Sequence, residues 1–75
     1  MVTIAYVGSM KISMYKGDHN PPHCHVYTSD GREGRFLFDG TYIEGRLKNK
    51  EIRLIASWMA SNCEGLIEQW KNFQE

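Results

Sequence analysis

Cysteine is scarce in this chain. Its two residues, Cys24 and Cys63, are too few for a disulfide framework, and both read as reduced thiols. An excess of one charge is missing as well. Nine lysines and arginines balance nine aspartates and glutamates, for a formal net charge of zero, so no global field draws the protein to nucleic acid or to a membrane surface. The most apolar stretch, Leu54 to Ala60, is far too short to span a bilayer. Met1 to Tyr6 lack the basic start and apolar run of a secretory signal. The expectation is a soluble, cytoplasmic protein with no membrane contact. Repeats, linkers and low-complexity tracts are absent, and 75 residues make a single domain, 1–75, with one modest core.

The chain does hold three histidines within seven residues, in Asp18-His19-Asn20-Pro21-Pro22-His23-Cys24-His25-Val26. Histidine changes charge near neutral pH and is the commonest metal ligand, so this cluster is the candidate site.

Hydrophobic periodicity places it. Met10, Ile12 and Met14 alternate with Lys11, Ser13 and Tyr15, as in a half-buried strand. Residues 2–7 form another strand or an extended arm. Pro21-Pro22 cannot occupy a central strand, so the next one runs from about His23 to Thr28. Glu33 to Phe38 and Thr41 to Gly45 follow, joined at Asp39-Gly40, a strong two-residue hairpin signal. Such a loop pairs Phe38 with Thr41, Leu37 with Tyr42, Phe36 with Ile43 and Arg35 with Glu44. For the preceding hairpin, a three-residue loop from Asp30 to Arg32 pairs Val26 with Phe36 and Cys24 with Phe38. That register buries apolar groups and spares His23 and His25 from desolvation. It predicts an open sheet face carrying His23, His25, Tyr27, Arg35, Tyr42 and Glu44, joined by Lys11 and Tyr15, with Ile43 on the core side.

From about Lys48 the period becomes helical. Ile52, Ile55 and Met59 share a stripe with Leu54 and Trp58 beside it. Ser61-Asn62-Cys63-Glu64 has the pattern of a capping box, so a second helix follows, with Leu66, Ile67, Trp70 and Phe73 as its apolar stripe. The basic run Arg46, Lys48, Lys50 and Arg53 is a solvated helix start, poorly placed for the helix dipole. The expected architecture is α+β: an antiparallel sheet of three to five strands (residues 2–45), one face covered by helices over 48–61 and 63–74.

Four readings of the cluster stay open. His23 and His25, two apart on a strand, project from one side and could ligate a divalent metal such as zinc, with His19, Glu44 or Asp18 completing the set. The imidazoles with Tyr27, Arg35 and Glu44 could instead perform metal-free acid–base chemistry on a phosphoryl group. A face carrying Tyr15, Tyr27 and Tyr42 among Lys11, Arg35 and histidine could stack unpaired bases or dock a protein. The structural alternative is that Asp18 and Asn20 shape a turn and the histidines bond the backbone.

Ile12-x-Met14-Tyr15, the His-Asn-Pro-Pro-His-x-His-Val core at 19–26, Glu44-Gly45-x-Leu47 and the tryptophans Trp58 and Trp70 together resemble a family of small prokaryotic proteins. It is catalogued as domain of unknown function 4160. The resemblance spans nearly the whole chain. Family members usually have Phe where this chain has Cys24, and often Pro where it has Lys48. The resemblance implies a fold and a site but no activity. Members often look like half of a gene pair, as toxin–antitoxin modules do, which implies a small protein partner encoded nearby and an RNA target. The leading expectation is therefore a toxin–antitoxin-like module that binds or cleaves RNA. His23 and His25 are its acid–base pair, Arg35 its phosphate contact and His19 the loop residue closing the site. Its rivals are a metal-binding protein and a non-catalytic interaction module. Self-association stays open.

Overall fold

The alternation read from the sequence builds five strands, and the helical period builds two helices. In the computed structural model, which describes residues 2–15 and 22–74, they are β1 (Val2–Val7), β2 (Met10–Met14), β3 (His23–Tyr27), β4 (Glu33–Leu37), β5 (Tyr42–Gly45), α1 (Asn49–Ser61) and α2 (Cys63–Gln74). The strands form one antiparallel meander in chain order, β1-β2-β3-β4-β5. Met10, Ile12, Met14, Cys24, Val26 and Phe36 turn one face of the sheet toward Ile55 and Met59 of α1 and Leu66 and Trp70 of α2. Each large side chain buried there contributes about 1.5–3 kcal/mol. No helix among the described residues is long and apolar enough to cross a membrane.

The register differs from expectation in two places. The β3–β4 loop does have three residues, but it is Ser29 to Gly31, one position earlier than predicted. Thr28 and Arg32 close it, with the Thr28 N–H donating to the Arg32 carbonyl at 2.8 Å and the Arg32 N–H donating to Thr28 Oγ1 at 2.9 Å. Gly31 takes the positive φ of 87° that ends such a loop. Cys24 therefore pairs with Phe36, not Phe38, and His25 pairs with Arg35. A slip of two residues preserves every face, so the histidines still oppose the core side.

The β4–β5 hairpin carries a bulge that changes faces. Arg35 pairs with Glu44 as expected, but Phe36 pairs with Tyr42, leaving Ile43 as the extra residue. Tyr42 thus lies on the core side, its ring 5.1 Å from that of Phe36 and its hydroxyl accepting the Leu47 N–H at 3.3 Å. Ile43 is 48% exposed. Both predicted placements are reversed, because one inserted residue inverts the alternation beyond it.

The helices follow expectation except at their margins. Leu54 and Ile67 are exposed, off the stripes that meet the sheet. Ser61, the cap residue of the expected box, is instead the last residue of α1, and Asn62 follows it as the C-cap. Its side-chain amide donates to the Trp58 carbonyl at 2.8 Å, closing the end of α1.

The basic start of α1 is compensated by one carboxylate. Glu51 Oε1 accepts the Lys48 N–H at 2.7 Å and both Glu51 oxygens accept from Arg32, at 2.8 and 2.9 Å. The same guanidinium reaches Asp30 through Nε and the Arg46 carbonyl through Nη1. One arginine in a hairpin loop thereby ties that loop to the segment entering α1. The bonds from Arg32 and Lys48 hold the Glu51 carboxyl down at about 2.

Candidate functional site

Strand parity lays out the site in rows across the sheet, on the side away from the helices. The central row reads Thr3, Ser13, His25, Arg35, Glu44. The next row reads Tyr6, Lys11, Tyr27, Glu33. His23 precedes His25 on β3 and pairs with Leu37. Paired strands are about 4.8 Å apart and directly opposed residues share a face. The imidazole of His25 is therefore flanked by a hydroxyl on one side and a guanidinium on the other.

The aromatic rings of this face form one cluster. His23 and His25 have ring centroids 5.1 Å apart. Tyr15 meets His25 edge-on at 4.5 Å, and Tyr27 lies nearly parallel to His25 at 6.5 Å. The hydroxyls of Tyr15 and Tyr27 hydrogen-bond each other. Lys11 Nζ sits 5.5 Å from the centre of the Tyr27 ring, a cation–π arrangement. At the far end His23 approaches Trp70 of α2, centroids 6.1 Å apart. Arg35 pairs with Glu44, and the two side chains are 44% and 54% exposed. In water such a pair is weakly held, so Arg35 can exchange partners at little cost. Beyond Tyr27 the face opens into a depression of about 580 Å³, lined in part by Arg32, Glu33, Arg35, Glu44 and Arg46.

The face brings together His23, His25, Tyr27, Tyr15, Lys11, Arg35 and Glu44 as the sequence predicts. It does not include Tyr42. His19 and Asp18 lie outside the described residues. Among the described residues no three His, Cys, Asp or Glu side chains converge as a metal site. Cys24 points into the core, where burial pushes its thiol up to about 12 and makes it a small apolar residue.

One member escaped the sequence reading. Ser13 is fully buried, and among the described residues its Oγ has no hydrogen-bond partner. Its parity with Lys11 and Tyr15 was visible in the alternation, but its burial was not. The face is accordingly less open than predicted: Lys11, Tyr15, His23, His25 and Tyr27 are half-buried.

The family model described as Domain of unknown function (DUF4160) matches residues 10–71, from β2 to the last turns of α2. The chain belongs to this family. No curated protein and no solved structure matches the chain. Within the DUF4160 match lie β3 and its histidines, whereas β1 falls outside it.

Proposed function

We propose that this DUF4160 protein binds single-stranded RNA on its histidine face and cleaves it without a metal. The observation that carries the reading is the pair of imidazoles, centroids 5.1 Å apart, with Arg35 directly opposite His25. One imidazole accepts the proton of a ribose 2′-hydroxyl as that oxygen attacks the adjacent phosphorus. The other donates a proton to the departing 5′-oxygen, leaving a cyclic phosphate and a free hydroxyl. Arg35, released from Glu44, offsets the charge that builds on the phosphoryl oxygens. Tyr15, Tyr27 and Lys11 supply the aromatic and cationic surface that holds unpaired bases and backbone. His19 is the third histidine of the proposed set. A small protein partner that masks this face in the cell completes a toxin–antitoxin-like pairing.

The test is cleavage of labelled single-stranded RNA in the presence of a chelator, alongside anisotropy measurements of binding. Each of His23→Ala and His25→Ala should slow cleavage about 10²- to 10⁴-fold, the usual contribution of one acid–base group, with binding retained. Arg35→Ala should weaken both. Wild-type protein that neither binds nor cuts, or a double histidine variant with full activity, would refute the reading. Activity that disappears on chelation would transfer the histidines to a metal-dependent role.

A further inference from the structure

The two edges of the sheet differ in charge. β5 carries Glu44 and is followed by Arg46, charges of the kind that discourage an edge from pairing. β1, Val-Thr-Ile-Ala-Tyr-Val, has no charged residue and no proline. Its one irregularity is the bulge at Ile4, which packs against the core. Among the described residues, two of the five exposed large apolar side chains belong to this strand, Val2 at 41% and Tyr6 at 65%.

The neutral character extends onto the helix layer. Two depressions run between β1 and the helices and share Ile4 and Gln69. Their helical rim is Asn62, Gly65, Gln69 and Asn72, which follow one stripe at the spacing of successive turns. Among the described residues, no charged side chain lines either depression, in a chain that is 24% charged. The acidic residues of α2, Glu64 and Glu68, fall outside this stripe.

We propose that β1 and this stripe form a homodimer interface, in which the β1 edges of two copies pair antiparallel about a two-fold axis. The occupant follows from symmetry and charge. In an isologous contact a patch meets its own image, so a patch of one sign repels itself and a chargeless one does not. Depletion of charge is also what marks the centre of a stable interface. A partner selected by charge would be drawn to Glu64 and Glu68 or to the basic start of α1, not to this edge. Pairing gives the unpaired backbone groups of β1 partners and joins two five-stranded sheets into one, with both histidine faces on the same side. The interface does not depend on any activity toward RNA.

Sedimentation velocity across a wide concentration range tests it. Wild-type protein should run at the mass of two chains and approach that of one only on dilution. The double variant Gly65→Glu/Gln69→Glu should run as one chain at concentrations where wild type is paired, and added salt should partly restore pairing. A Cβ at Gly65 meets nothing within 4 Å, so the variant should keep the wild-type circular dichroism. Tyr6→Lys, on the strand itself, should have the same effect. A wild-type protein that stays monomeric throughout, or a pair that survives both changes, would overturn the assignment.

Discussion

Ser13→Ala should make the protein more stable. The hydroxyl is wholly buried, and among the described residues Ser13 Oγ has no partner. Leaving a buried polar group unsatisfied costs roughly 1–3 kcal/mol, and removing it recovers that desolvation term. Alanine fits within the space of serine and opens no cavity larger than the lost oxygen. Taking the lower end, about 1 kcal/mol, and an unfolding entropy near 0.16 kcal/mol per degree for 75 residues, the melting temperature should rise by about 6 °C. Thermal and urea denaturation followed by circular dichroism at one fixed pH would measure it, and an unchanged urea slope would show that the unfolded state is not the cause. A variant less stable than wild type by a similar amount would refute the reasoning, because the hydroxyl would then have a partner worth keeping. A gain in stability combined with weaker RNA binding would mean that the protein retains a costly group for its ligand.

Two further predictions concern the scaffold. The Glu51 carboxyl ordinarily titrates at 4.5 and is held at about 2 in the fold. Its contribution is therefore complete above roughly pH 4.5 and is lost as pH falls through 2. Glu51→Gln should flatten the fall in urea midpoint across that window, and parallel wild-type and variant pH profiles would contradict the pairing with Arg32. Gly45 has a φ of +136°, and a Cβ there would lie 2.4 Å from the Glu33 carbonyl oxygen. Gly45→Ala should destabilise by at least the roughly 1–3 kcal/mol of backbone strain, read as a lower urea midpoint. A neutral result would place the backbone of β5 elsewhere.

Much of this fold can be read from local pattern. The alternation in β2 and β3 assigns Ile12, Val26 and Cys24 to one side and the histidines to the other, and the structure keeps that division. It survives even where the loop is misplaced, since moving the loop from Asp30–Arg32 to Ser29–Gly31 shifts the pairing by two. The bulge at Ile43 is different in kind. A single extra residue leaves no mark on the composition of Thr41 to Gly45, yet it turns Tyr42 to the core side and Ile43 out to solvent. Arg32 with Glu51 is equally illegible, because nineteen positions separate them and either residue alone reads as solvated surface. The site is intermediate. Parity groups its members, but Ser13, paired with Thr3 and His25 across the sheet, is wholly buried, which alternation within β2 does not encode.

The meander also has a consequence for how the chain is made. Every strand pairs with a neighbour in sequence, so the sheet can assemble hairpin by hairpin as it leaves the ribosome, with little loop entropy to overcome. The residues that cover it, Ile55, Met59, Leu66 and Trp70, come last. Until they emerge, Ile12, Val26 and Phe36 face water on a finished but uncovered sheet, the kind of surface that recruits chaperones or other nascent chains. The vulnerable moment in the life of this protein is therefore the interval of synthesis between β5 and the end of α2.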